Sequence, residues 1–170
     1  VDPAKRLVVR RRERSVIAEV RDANAPGLDQ PNRVLLAKLR AAIDVAWPSM
    51  SKLLGTSGKK GKLSFTTDLK EMASKADFIH EAAPEREDLK VKLFRDIDAI
   101  ARPDVVISSS SSGFLPTVLQ SQCRHPERVI IGHPFNPVYL LPLVETVPGE
   151  KTSAEAMDRA GAYFESIGMH

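Results

Sequence analysis

The chain has 170 residues, of which 42% are apolar and 28% charged, and its formal net charge is +3. This composition is typical of a globular domain and excludes a disordered tail, and the one cysteine, Cys123, excludes a disulfide-stapled scaffold. No apolar run approaches the roughly 20 residues of a membrane span, and no secretory signal opens the chain, so we expect a cytoplasmic protein with no membrane partner.

Residues 1–14 form a basic segment that includes Arg10, Arg11, Arg12 and Arg14. Clustered cations can bind nucleic acid or an anionic membrane surface. The rest of the chain, however, offers no second basic face and no nucleic-acid-binding motif. We therefore interpret the segment as a solvated terminus and expect no nucleic-acid partner.

Between residues 15 and 147, short β-branched runs alternate with longer amphipathic patterns, which predicts an α/β fold with a parallel sheet and helices on both faces. Strands are predicted at residues 15–20, 63–66, 78–83, 105–107, 129–131 and 143–147. Helices are predicted at about 31–46, from Pro84-Glu85 to about 100, at about 115–122 and after residue 152. Trp47-Pro48 is expected to end or kink the first helix. Asp68 and Thr152, each followed three residues later by a glutamate, carry the signature of a helix start.

Ligands of open parallel sheets bind beyond the carboxyl ends of the strands, where loops and helix N-termini converge. In this sequence those ends carry Asp22, residues 82–85, residues 108–113 and residues 132–137. We therefore expect the functional site to be assembled from these segments.

Two of these strand ends carry groups suited to a nucleotide or a small polar substrate. Asp22 can accept hydrogen bonds from ribose hydroxyls, or it can be a turn-forming aspartate, and position alone leaves both open. The serines at 108–112 continue directly from a buried strand and precede a helix, so we interpret them as a site for a carboxamide or a substrate oxygen rather than as a linker. The loop at 55–61 lacks the spacing of a phosphate-binding loop, and nucleotide hydrolysis is not expected.

His133 and Glu145 form a candidate acid–base pair. His133 directly follows a buried strand in a turn held by Pro134 and Pro137, and Glu145 comes twelve residues later. A neutral imidazole can take a proton from a hydroxyl near neutral pH, and a carboxylate on its other nitrogen would orient the ring. The alternative is a structural histidine in a turn.

The segment Gly132-His133-Pro134-Phe135-Asn136-Pro137, followed by Pro142-Leu143-Val144-Glu145, resembles the His-x-x-Asn-Pro…Leu-Val-Glu signature of the 3-hydroxyacyl-CoA dehydrogenase family. The similarity extends upstream through Ala82-Ala83-Pro84-Glu85 and the serines, and it covers roughly residues 15–170. It implies a Rossmann-like NAD-binding domain of an oxidoreductase. The pattern is most similar to the L-carnitine dehydrogenase branch, and the branch with L-gulonate dehydrogenase and lambda-crystallin is the alternative.

The resemblance also implies roles for individual residues. His133 would be the general base that removes the 3-hydroxyl proton of a 3-hydroxy acid while hydride passes to NAD, and Glu145 would orient it. With L-carnitine the product would be 3-dehydrocarnitine; a 3-hydroxyacyl-CoA or L-gulonate is the alternative substrate. Ser112 and Asn136 would contact the substrate or the nicotinamide. The NAD site would include Asp22, Ala82, Ala83, Glu85, Lys90 and Ser110.

The sequence also departs from the family pattern. The first strand and glycine-rich loop are expected to be missing or replaced by residues 1–14, which leaves an incomplete NAD-binding domain at residues 15–170. The C-terminal helical domain is expected to be absent, and the start at Val1 rather than Met indicates a fragment. We therefore expect weak or no activity from this chain and a homodimer for the full-length protein. A non-catalytic, crystallin-like structural or binding module remains the alternative from another class.

Overall fold

The computed structural model describes residues 5–11, 14–20, 29–53, 66 and 68–170, with side chains at residues 38, 40–53, 66 and 68–170. Asp22, the loop at 55–61 and nearly all of the predicted strand at 63–66 lie outside the described residues. The strands are β1 (Lys5–Arg11), β2 (Arg14–Val20), β3 (Phe78–Glu81), β4 (Val106–Ser109), β5 (Val129–Pro134) and β6 (Val144–Pro148). The helices are α1 (Asp29–Leu53), α2 (Leu69–Ala73), α3 (Glu87–Asp98), α4 (Pro116–Leu119) and α5 (Ala154–Ser166).

The six strands form one mixed sheet in the order β2-β1-β3-β4-β5-β6. The central strands β3, β4 and β5 are parallel, as the alternating pattern predicts. The outer strands are antiparallel, because β1 and β2 are separated by two residues and β6 returns along β5 without a crossover helix. β1 falls within the basic segment that the sequence analysis placed at residues 1–14.

Helices cover both faces of the sheet, as predicted. The cluster on one face joins α2, α3 and α4 to β3, β4 and β5 through Met72, Phe94, Ile97, Leu119, Ile79, Ile107 and Ile131. The cluster on the other face joins α5 to β3–β6 through Phe78, Val106, Ile130, Val144, Ala156, Ala160 and Phe164. The predicted Rossmann-like α/β architecture is thus confirmed.

Several helix limits differ from the sequence prediction. Of the two effects expected at Trp47-Pro48, an end to the helix is wrong: α1 continues to Leu53 with Pro48 inside it, because a proline removes one helical hydrogen bond and a helix can continue past it. Helix α3 begins at Glu87 because Arg86 is still extended and its amide is bonded to the Pro84 carbonyl. Helix α4 ends at Leu119, earlier than predicted.

The helix caps divide into one confirmed and one corrected prediction. Asp68 caps α2 as predicted, and its carboxylate accepts bonds from the amides of Lys70 and Glu71. Thr152 does not cap α5, because its hydroxyl donates to the Val129 carbonyl at 2.6 Å. Ser153 takes that position and accepts from the Ala156 amide at 3.1 Å.

Candidate functional site

The carboxyl ends of the three parallel strands meet at one edge of the sheet. Glu81 at the end of β3 lies in register with Ser109 of β4, and Ser109 lies beside Ile131 of β5. The loops that follow these strands therefore start next to one another, at the edge where open sheets bind ligands.

His133 and Glu145 are brought together by the β5–β6 pairing, which places them opposite each other in register. His133 Nδ1 lies 3.9 Å from Glu145 Oε2, and their side chains are 28% and 62% exposed. At this distance the carboxylate interacts most strongly with a protonated ring. The arrangement can orient an imidazole with one nitrogen toward the carboxylate and the other available to a substrate.

Glu85 is hydrogen-bonded to the serine loop that follows β4. Its Oε1 accepts a hydrogen bond from Ser111 Oγ and lies 3.4 Å from the Gly113 amide. Burial works against the charge, but the bonds from Ser111, Lys90 and Gly113 outweigh it, so the pKa of Glu85 is lowered. The Glu85 side chain is still 44% exposed, and it presents an ionised acceptor at the rim of the site.

A fully buried ion pair lies directly beneath this rim. Lys90 Nζ is 2.9 Å from both carboxylate oxygens of Glu81 and 3.3 Å from Glu85 Oε2. The side chains of Lys90 and Glu81 have no exposed surface. Lys90 therefore acts at this edge by holding two carboxylates, with no direct access to solvent.

The other predicted site residues lie along the same edge. Ala82 and Ser110 are partly buried, Ala83 is buried, and Ser112 and Asn136 are exposed. Asp22 lies outside the described residues, so its place relative to the edge is not defined.

Sequence reasoning missed the part played by Glu81. Glu81 accepts from Ser109 Oγ at 2.6 Å as well as from Lys90. The available signal was a carboxylate that closes an otherwise buried strand, with a lysine nine residues later in the next helix. Such a buried acid is expected to need a paired cation.

The described part of the chain offers neither a metal-binding cluster nor a membrane-spanning helix. No group of three or more His, Cys, Asp or Glu residues there could hold a metal ion. None of the helices described is both long enough and apolar enough to cross a membrane.

The fold and the site define a class of protein: a Rossmann-like α/β domain whose strand ends carry polar groups suited to a dinucleotide. The model of the family "3-hydroxyacyl-CoA dehydrogenase, NAD binding domain" matches residues 41–170. The chain belongs to this family of NAD-dependent oxidoreductases, and the resemblance stated from the sequence is confirmed.

Two similar curated relatives are L-carnitine dehydrogenases. The chain is 52% identical over 134 residues to L-carnitine dehydrogenase of Pseudomonas aeruginosa, a match that covers 78% of this chain and 42% of the relative. It is 45% identical over 146 residues to L-carnitine dehydrogenase of Pseudomonas putida, covering 85% of this chain and 43% of the relative. The chain thus spans less than half the length of these relatives.

Solved structures place the fold among dehydrogenases. One is 5-formyl-3-hydroxy-2-methylpyridine 4-carboxylic acid 5-dehydrogenase, an NAD⁺-dependent dismutase, with a TM-score of 0.69, 31% identity and coverage of 79% of this chain and 44% of that one. Another is 3-hydroxybutyryl-CoA dehydrogenase from Escherichia coli, with a TM-score of 0.64, 28% identity and coverage of 78% and 29%.

Small and polar residues follow β3 and β4 at this edge. Ala82 and Ala83 follow β3, and in the loop after β4 a Cβ added at Gly113 would meet one atom within 4 Å, Glu85 Oε1 at 3.7 Å. Ser112 and the ionised Glu85 supply the hydroxyl and carboxylate that an amide and ribose hydroxyls can bond. No Gly-x-Gly-x-x-Gly sequence for the pyrophosphate occurs in the chain.

Proposed function

We propose that this chain supplies the acid–base pair and part of the cofactor site of an NAD-dependent dehydrogenase. The enzyme oxidises a small 3-hydroxy acid to the 3-oxo acid, and L-carnitine, giving 3-dehydrocarnitine, is the substrate we favour. The observation that carries the proposal is the His133–Glu145 pair at the carboxyl ends of the parallel strands. The identity to L-carnitine dehydrogenases supports the choice of substrate.

His133 acts as the general base in this reaction. Its Nδ1 faces Glu145, so Nε2 is left to accept the proton of the substrate's 3-hydroxyl. Glu145 stabilises the imidazolium that results and keeps the ring oriented. NAD, when bound, would supply the hydride acceptor, and the balanced reaction would give the 3-oxo acid, NADH and a proton.

The neighbouring residues bind and orient. Ser112, in the loop after β4, and Asn136, in the loop after β5, are both exposed and donate hydrogen bonds to the substrate or to the nicotinamide amide. Glu85 accepts hydrogen bonds from cofactor hydroxyls, and Lys90 acts through Glu85. Ala82, Ala83 and Ser110, which directly follow β3 and β4, form with Glu85 what we call the cofactor shelf. Asp22 is proposed as the acceptor for the adenosine ribose on its sequence position alone.

A 3-hydroxyacyl-CoA is the second candidate substrate. The loop after His133 exposes Val138, Leu140, Leu141 and Leu143, each between 38% and 50%. An apolar surface next to the base suits an acyl chain better than it suits a small quaternary ammonium acid.

The test is NADH formation with L-carnitine, L-gulonate and a 3-hydroxyacyl-CoA, preceded by calorimetric titration of the chain with NADH. We expect saturable NADH binding and turnover highest with L-carnitine. Because no pyrophosphate loop is found in this sequence, we expect that turnover to be weak. The absence of saturable NADH binding to the folded chain would contradict the proposal and favour a non-catalytic module.

A further inference from the structure

Glu81 is the most heavily bonded buried acid at the functional edge. Its carboxylate accepts from the Ala83 amide in the loop after β3, from Lys90 Nζ in α3 and from Ser109 Oγ in β4. Its own backbone carbonyl accepts from the Ser110 amide at 2.8 Å. One residue therefore ties together the three segments from which the cofactor shelf is built.

The bonds continue outward from Glu81 in two directions. Lys90 Nζ, bound to both Glu81 oxygens, also reaches Glu85 Oε2 at 3.3 Å. Ser109 Oγ, which donates to Glu81, accepts from the Ser111 amide at 3.2 Å, and Ser111 Oγ in turn donates to Glu85. Both paths end at Glu85, the partly exposed carboxylate at the rim.

Net stability is a weak reason for such a cluster. A buried ion pair gains little over an apolar pair of the same size, because desolvating the two charges cancels most of their attraction. The cluster instead fixes the positions of the groups around Glu81. A carboxylate that accepts from a lysine, a hydroxyl and an amide has only one arrangement that satisfies all three donors.

We propose that Glu81 is a positioning residue for the cofactor site, which holds the ends of β3 and β4 in register and, through Lys90 and Ser111, fixes the orientation of Glu85. This inference rests on the proposed function, because it assigns the shelf to NAD. Glu81 itself has no exposed surface, so it acts on the site through its neighbours.

The principal variant is Glu81→Gln, which keeps the size of the side chain and removes its charge. We expect faster hydrogen exchange at the Ala83 and Ser110 amides in the absence of cofactor. We expect NADH to bind about ten- to a hundredfold more weakly, the cost of a displaced supporting group. The KM for NAD should rise more than kcat falls.

Asp98→Asn is the matched control. Asp98 and Arg128 form the other fully buried ion pair of the described residues, with Arg128 Nη2 at 2.6 Å from Asp98 Oδ1, at the opposite end of the sheet. This variant should lose thermal stability while leaving NADH affinity and the exchange of the Ala83 and Ser110 amides unchanged.

Two further variants keep the proposal testable if Glu81→Gln folds poorly. Ser109→Ala removes one hydrogen bond to Glu81 and should produce the same changes, only smaller. Glu81→Gln combined with Lys90→Met also removes the ammonium that has lost its buried carboxylate partner, so thermal stability should recover while NADH affinity does not.

The outcomes separate this inference from the proposed function. Unchanged NADH affinity and unchanged amide exchange in a folded Glu81→Gln protein would overturn the positioning role. If the unsubstituted chain fails to bind NADH, the proposed function fails, whereas amide exchange in the variants still measures whether Glu81 holds the strand ends.

Discussion

At the scale of single residues, the two exposed His–Glu pairs of the described residues look alike but lie at opposite ends of β5. His125 Nδ1 is 3.4 Å from Glu127 Oε1, closer than His133 is to Glu145. Only the second pair lies at the carboxyl ends of the parallel strands. Position in the sheet, more than side-chain distance, distinguishes the candidate base.

The two histidines give a prediction with a built-in control, because only His133 is proposed to be the base. His133→Asn should lower kcat for the 3-hydroxy acid by about 10²–10⁴-fold, the usual contribution of a general base. Glu145→Gln should lower kcat less, because it acts through the ring. His125→Asn should leave the rate unchanged, and steady-state kinetics of the three variants checks this. An equal rate in the His133 and His125 variants would remove the base from the mechanism.

His80 predicts a pH dependence of stability. Burial, with a smaller effect from the Lys90 charge, lowers the pKa of His80 from 6.5 to about 4, and its Nδ1 is 3.2 Å from Ser108 Oγ. Between about pH 4 and pH 6.5, His80 is therefore protonated in the unfolded chain but neutral in the folded chain. The contribution of His80 to the free energy of unfolding should therefore be constant above about pH 6.5. It should fall by up to about 3 kcal/mol as the pH drops to about 4.

Denaturant titrations across that pH range measure the loss. His80→Gln should remove most of the slope, whereas His125→Asn, which changes an exposed imidazole, should retain it. The same slope in the His80 variant and the unsubstituted chain would assign the loss to other groups.

At the scale of elements, β5 passes so close to its neighbours that any side chain at position 132 would force them to shift. A Cβ at Gly132 would lie 2.5 Å from Ser108 Oγ and 2.7 Å from the Phe164 ring. These atoms belong to β4 and α5, so the close approach fixes the spacing of three elements around the strand that carries His133. By contrast, a Cβ at Gly161 within α5 would meet nothing within 4 Å.

The two glycines should respond to alanine with opposite signs. Gly132→Ala should destabilise the fold by about 1–3 kcal/mol, as overpacking does. Gly161→Ala should stabilise it by up to about 1 kcal/mol, because alanine loses less conformational entropy in a helix. Thermal denaturation of both variants measures the two changes in stability. A Gly132→Ala protein as stable as the unsubstituted chain would show that β5 or its neighbours can shift without cost.

At the scale of the whole molecule, Asp98 and Arg128 join the segments at the end of the sheet away from the site. Asp98 accepts from the Arg124 and His125 amides as well as from Arg128, and Arg128 donates to the carbonyls of Ala101 and Arg102. The end of α3, the loop before β4 and the start of β5 are thus held by one buried pair.

Removing either partner alone should be costly. Asp98→Asn and Arg128→Met should each destabilise the chain by about 3–5 kcal/mol, since each leaves a buried charge without its partner. The double variant should cost less than the sum of the two, and a double-mutant cycle from denaturant titrations measures that coupling. Strictly additive losses would mean that the two charges do not interact.

The sequence predicted β4 and β5 because Val106-Ile107 and Val129-Ile130-Ile131 are runs of β-branched apolar residues, which suit strands buried on both faces. It paired His133 with Glu145 through their residue types and the family signature, whereas the antiparallel register that sets them opposite each other comes from the structure. It could not predict the antiparallel direction of β1, or the Glu81–Ser109 bond, since both depend on contacts between segments distant in the chain. Thr152 failed as a cap for the same reason: a carbonyl of β5 competes for its hydroxyl.

In the proposed mechanism, the β5–β6 hairpin separates proton transfer from substrate selection. His133 and Glu145 lie on paired backbone, whereas residues 135–143, which include exposed apolar side chains, belong to the connection between the strands. Residues in that connection can be exchanged, inserted or deleted while the ladder keeps His133 opposite Glu145. Replacing this one connection is therefore a route to new substrate specificity that leaves the proposed pair unaltered.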